Sequence, residues 1–198
     1  MMVFDETTVA SAALPVQALK DHLRLGSGFA DDGMQNGLIE GYLRAAIAAI
    51  EGRIGKVLMA RRMRLELDDW RNADAQPLPV APVSMVVSVT MVNAAQAAVV
   101  VPATAYRLVP DLHRPRVVGA GSSLPMVPAG GVVKVVFEAG FSATWAGMPA
   151  DLQQAVLLLA AEYYEHRHDN GAHAGGLPFG VVVLIERWRT VRVLGGGA

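Results

Sequence analysis

The apolar residues of this chain change their period at Arg61, and that change limits the fold more than any figure of composition. Upstream, Ile39, Leu43, Ala46, Ile47, Ile50, Ile54 and Val57 recur at spacings of three and four, one apolar stripe on a helix expected from about Gly33 to Leu58. Downstream, Met63, Leu65 and Leu67 alternate with Arg64, Glu66 and Asp68, the pattern of a half-buried strand. The helical period returns in "MPADLQQAVLLLAAEYYEHR", where Leu152, Ala155, Val156, Leu159, Ala160 and Tyr163 form a stripe that Leu157, Leu158 and Ala161 widen. The chain therefore reads as α+β, a helical body with a small antiparallel β module inserted in it.

Local signals fill in this outline. Pro15 opens a short helix, "PVQALKDHLRL", and Asp31 or Asp32 can cap the long helix that follows. Glu40 and Arg44 sit four apart on its polar side and can pair, while Gly41, Gly52 and Gly55 weaken it, so packing must hold it. "VSMVVSVTMV" (83–92) is a β-branched strand, "NAAQA" a turn and "AVVV" (98–101) its hairpin return. "AYRLVP", "RPRVVG" and "GVVKVVFEAGF" (131–141) supply further extended pieces. In the late helix Pro149 suits the first turn and Asp151 the positive end of the helix dipole. After a loop at 169–176, Pro178 begins a short helix to about Arg189, followed by an extended tail. The expected division is 1–61, the N-terminal part of the helical body; 62–141, the β module; 142–176, the C-terminal helix and a hinge loop; and 177–198, a separate closing segment.

Composition removes several functions. With 17 Lys+Arg against 18 Asp+Glu, the net charge of -1 gives no general pull toward nucleic acid or anionic membrane. No cysteine is present, which excludes disulfides, thiolate zinc sites, iron–sulfur clusters and cysteine nucleophiles. "MMVFDETTVASAALPVQ" has no basic n-region and reads as a poor signal peptide, and no apolar run is long enough for a membrane span. Positive mean hydropathy without a span points to faces buried in an assembly.

One cluster has the residue types of a chemical site. On a helix Glu162, His166 and Asp169 share a face, Glu165 and His168 lie beside it, and His173 can swing in from the loop. Imidazole and carboxylate four apart can ligate zinc, so a small metal-dependent enzyme using Glu162, His166 and His173 is one reading. The other is the polar C-terminal end of a helix, where imidazolium and arginine complement the dipole. "GSG" (26–28) and "GAGSS" (119–123) lack the strand–glycine–helix order of phosphate loops, and Ser122 and Ser123 lack a nucleophile elbow. "ARRMR" (60–64) reads as a solvated strand edge, and Trp70, Trp145 and Trp188 as core or interface residues. No acid, base and oxyanion donor come together. No catalytic, cofactor-binding or metal residue is assigned, and the residues favour a structural or interaction protein over an enzyme.

The order of pieces resembles the gp6-like head–tail connector (adaptor) proteins of long-tailed phages and phage-like gene transfer agents, in the branch with a β insertion. The resemblance rests on "LKDHLRL" (19–25), "LIEGYLRAAIAAIEGRIGKVL" (38–58), "LELDDW" (65–70), "LPVAPVSMVVSVTMVN" (78–93), "VVFEAGF" (135–141), "MPADLQQAVLLLAAEYYEHR" (148–167) and "LPFGVVVLIERWR" (177–189). Met63 and Met91 stand where such proteins often carry an aromatic. The resemblance implies a virion protein of the head–tail interface, assembled in the bacterial cytoplasm. It would form a ring with copies of itself, usually a dodecamer, below the portal protein. The ring would extend the DNA channel, pass DNA without sequence specificity and offer a platform to a stopper or tail-terminator protein. No cofactor and no membrane are implied. The closing segment would reach the portal through Phe179, Val182, Ile185, Trp188, Arg189, Val191 and Arg192, an aromatic and arginines being suited to an interface anchor. The alternative for that segment is packing on its own subunit, and for the protein a different virion part such as a stopper or tail terminator.

Overall fold

The computed structural model describes residues 1–23, 35–121, 123–167 and 176–189. The chain divides into two compact units, each built from two separate stretches: a β unit of residues 1–9 and 59–143, and a helical unit of residues 10–58 and 144–198. The fold is α+β, with every named strand pair antiparallel.

The β unit contains β1 (Met2–Asp5), β2 (Arg61–Leu67), β3 (Ala75–Pro77), β4 (Val83–Val92), β5 (Ala98–Val100), β6 (Tyr106–Val109), β7 (Arg116–Gly119) and β8 (Val132–Ala139). They form a five-stranded sheet in the order β1-β2-β8-β4-β5 and a three-stranded sheet in the order β3-β7-β6. The period-two pattern that marks β2 in the sequence sets its register. Met63, Leu65 and Leu67 lie opposite Phe137, Val135 and Val133 of β8, all buried, and Val89 and Met91 of β4 continue the same face. On the opposite face Arg62 meets Glu138 at 3.3 Å, and Glu66 meets Arg64 at 3.0 Å and Lys134 at 3.5 Å. β4 is irregular near its start, with register shifts between Val83 and Met85 and between Val86 and Ser88. Its hairpin to β5 turns on Asn93, whose side-chain oxygen accepts the Ala97 N–H at 2.9 Å, as the turn reading of "NAAQA" requires.

The chain enters and leaves this unit side by side, the Ala60 N–H donating to the Ser142 carbonyl at 2.8 Å. That closeness demands Gly140: its φ is +133°, and a Cβ there would stand 2.4 Å from the Ala60 Cα. Two strands depart from the sequence reading. Met2–Asp5, expected within the N-terminal helical part of the body, is a strand on the edge of the β unit, paired Met2 to Glu66 through Asp5 to Met63. β3, in a polar stretch without alternation, is held by pairing with β7. In both, a distant partner decides the conformation over local pattern.

The helical unit holds α1 (Val16–His22), α2 (Asn36–Ile54), α3 (Ala150–Glu165) and α4 (Phe179–Ile185), the last followed by a 3-10 turn over Glu186–Trp188. α2 buries Ile39, Leu43, Ala46, Ile47, Ile50 and Ile54, the expected stripe, and α3 buries Leu152, Ala155, Val156, Leu159, Ala160 and Ala161 against it. α2 ends four residues before the expected Leu58. Gly55 takes the left-handed conformation at φ 68° with its N–H on the Glu51 carbonyl, and the Glu51 carboxylate then accepts the Leu58 N–H at 2.7 Å. The expected cap at Asp31 or Asp32 lies outside the described residues. Glu40 and Arg44 do pair, at 2.7 Å. Hydrogen bonds from Arg44 and then from the Ser11 hydroxyl hold the Glu40 carboxyl below its ordinary value. Among the described residues no helix is long and apolar enough to cross a membrane.

Candidate interaction surface

The first turn of α3 organises the closing segment. Pro149 precedes the helix, and Asp151 uses Oδ1 to accept the Leu152 N–H at 3.0 Å. Its other oxygen, Oδ2, accepts the Trp188 indole N–H at 2.7 Å and lies 2.7 Å from Arg187 Nε. The Arg187 guanidinium lies over the Trp188 ring, 4.6 Å from its centroid. Asp151 thus does more than complement the helix dipole: one carboxylate fastens the start of α3 to the turn after α4.

α4 lies on α3 through Val181 and Ile185, four apart and both buried. The seven residues expected at a partner interface fall into different places. Phe179 is 84% exposed, Val182 is half-buried and Arg189 is exposed, paired with Glu186 at 2.9 Å. Ile185 is 1% exposed and belongs to the core of its own unit, because it shares the Val181 face. Trp188 is half-buried, its polar atom committed to Asp151. Val191 and Arg192 lie outside the described residues, as does nearly all of the loop expected at 169–176. The sequence reading missed Val183, which is 57% exposed. Phe179, Val182 and Val183 stand at i, i+3 and i+4 and share the outward face of α4; counting that spacing from Phe179 would have found it.

The histidine cluster resolves in part. His166 follows the end of α3, its Nδ1 3.4 Å from Glu162 Oε1 and 3.1 Å from the Glu162 carbonyl. Arg167 donates to the Tyr164 carbonyl at 2.6 Å and covers the Tyr164 ring, which meets Tyr42 edge to face with centroids 6.0 Å apart. These are interactions that finish a helix C-terminus. His168, Asp169 and His173 lie outside the described residues, and among those described no three His, Cys, Asp or Glu gather as metal ligands.

Elsewhere, each arginine of the 60–64 cluster has a carboxylate partner: Arg61 with Asp5 at 3.1 Å, Arg62 with Glu138 and Arg64 with Glu66. The β unit also bears an open groove of about 750 Å³ beside Trp70, whose indole N–H donates to the Pro125 carbonyl at 2.7 Å. Its charged lining residues are Asp69 and Arg71.

A comparison with protein-family models finds no match, and neither does one with curated proteins. Among solved structures the chain is similar over 99% of its length, and over 99% of theirs, to three chains from particles of a gene transfer agent. One, described as the neck of an empty particle computed with C6 symmetry, is 56% identical with a TM-score of 0.90. A second, from the virion of the native particle, is 55% identical with a TM-score of 0.86. A third, the neck of the native particle computed with C12 symmetry, is 52% identical with a TM-score of 0.84.

Proposed function

This chain belongs to the family of gene transfer agent neck proteins, and from that premise we propose that it is a head–tail connector (adaptor) of the gp6-like kind, in the branch with a β insertion. Copies form a ring at the head–tail interface of the particle, dock beneath the portal protein, continue the DNA channel and present a platform to the stopper or tail-terminator protein below. The observation that carries the reading is identity of 56% along essentially the whole of both chains with a protein of a particle neck solved with rotational symmetry. A near-neutral chain agrees with DNA passing through without being gripped at its phosphates. The role is mechanical, with no reaction to catalyse.

The segment from 177 onward is the portal-docking element. Its outward face carries Phe179, Val182 and Val183, with Arg189 beyond them and Val191 and Arg192 further along the chain. Ile185 and Trp188 support that face from within, Ile185 by packing on α3 and Trp188 by its bond to Asp151. Imaging of particles carrying a bulky tag on this chain tests the assignment. Tag density in a ring directly beneath the portal is expected, and density anywhere else on the particle overturns it.

A further inference from the structure

Both edge strands of the five-stranded sheet carry exposed apolar side chains, although the Arg64 guanidinium lies over the Phe4 ring, 4.9 Å from its centroid. At one edge all four residues of β1 are exposed; at the other, so are all three of β5, with Val99 and Val100 each 66% exposed. The register shows why this matters. Val3 stands beside Leu65 and Val99 beside Met91, so the apolar core face of the sheet continues outward past its cover at both ends. Exposed edges are ordinarily blunted by short length, charged side chains, proline or a bulge. β5 and β1 are short, at three and four residues, but β5 carries no charge, proline or bulge, and the one charge of β1, Asp5, is tied to Arg61 at 3.1 Å.

We infer that, in the ring, β5 of one copy packs against β1 of the next, Val99 meeting Val3 on the core-face side of the sheet and Val100 meeting Met2 and Phe4 on the other. The inference rests on the ring reading above. The two patches lie on opposite edges of one sheet, separated by three strands, and cannot cover one another within a copy. They are also unlike each other, and a closed ring of many copies needs one patch meeting a different one. The contact is made by side chains. Sheet twist of about 20–25° per strand turns β5 roughly 90° from β1 over four steps. One step around a ring of twelve reorients a neighbour by only about 30°, so the two edge strands cross instead of extending a ladder.

The absence of cysteine makes the test clean. Particles carrying Val3→Cys together with Val99→Cys are oxidised and run on a non-reducing gel. A ladder of linked chains is expected, with each single variant remaining monomeric. A link formed by Val99→Cys alone, or one joining Val99→Cys to another neck protein, overturns the inference. The pair Val99→Asp and Val100→Asp, exposed and expected to fold, should abolish incorporation into particles. If rings are imaged but no ladder forms and the aspartate variant assembles like wild type, the edge contact is wrong and the ring stands. If no ring is found in unmodified particles, the ring falls and the edge contact with it.

Discussion

Trp188 donates its indole N–H to Asp151 Oδ2 at 2.7 Å, joining the turn after α4 to the first turn of α3 across 37 positions of sequence. A hydrogen bond to a charged acceptor contributes about 1.5–3 kcal/mol. Trp188→Phe keeps most of the ring and loses the donor, so chemical denaturation should show a loss of that size. Asp151→Asn should lose as much again, because Arg187 and the helix dipole also favour the carboxylate. With Asp151→Ala in place of Asp151→Asn, the losses in the double variant should fall short of additive, since that change and Trp188→Phe remove the same bond. Strict additivity would mean that the bond contributes nothing to stability.

Phe179→Ala tests the proposed portal docking separately from folding. The side chain is 84% exposed, so stability should stay within about 0.5 kcal/mol of wild type. Pull-down by the portal protein should fall sharply, and Val183→Asp on the same face should behave alike. Ile185→Ala should do the reverse in its first effect, costing about 2–5 kcal/mol in denaturation through the cavity it leaves beside α3. Unchanged portal binding by Phe179→Ala and Val183→Asp together would remove α4 from the interface.

Gly140→Ala should be among the most damaging single changes in the β unit. The backbone conformation is one that L side chains rarely adopt, and the new methyl group would meet the Ala60 backbone. A loss of at least about 2 kcal/mol is expected from thermal or chemical unfolding. An alanine variant as stable as wild type would show that the chain crossing at Ala60 and Ser142 can open without cost.

The Glu40 carboxyl titrates below its ordinary 4.5 because Arg44, then Ser11, hydrogen-bonds its ionised form. A carboxylate with a lowered folded-state value adds stability above its unfolded value and loses it as pH falls through the folded one. Melting temperature should therefore drop below about pH 4.5 partly on account of Glu40. Glu40→Gln should flatten that part of the curve, and added salt should narrow the difference between the two proteins. Parallel curves for the two would exclude Glu40 as a contributor.

Metal analysis of purified particles should find no stoichiometric zinc or manganese in this chain, and a chelator should leave its melting temperature unchanged. Metal that is lost on His166→Ala would revive the chemical reading of the Glu162–His173 stretch.

Much of this fold is legible in the sequence because each long element carries its own period. The α2 stripe and the β2 alternation predict burial residue by residue, and the α3 stripe does so except at Tyr163, which is half-buried, since a strand or helix of seven residues or more repeats its pattern often enough to be read. β1 and β3 are too short to repeat anything and exist because β2 and β7 offer them ladders. The candidate interaction surface is legible in the same uneven way. Phe179 stands out by type, but Ile185 and Val183 differ only in which side of a seven-residue helix they occupy, which depends on where α3 lies. The partnership of Asp151 with Trp188 and Arg187 leaves no local trace, because the chain must fold before those residues are near one another.

Because each unit is made from two separated stretches, synthesis imposes an order on their completion. Met2–Asp5 leaves the ribosome long before Arg61–Leu67 exists to pair with it, and the β unit can close only once β8 has emerged between β2 and β4. The helical unit waits longer still: α1 and α2 have no α3 to bury their stripes until the whole β unit has been made, and the bond from Trp188 to Asp151 can form only after α4 has followed. A chain interrupted anywhere before α4 would therefore lack both Phe179 and a finished helical unit, and with them the face proposed to dock on the portal.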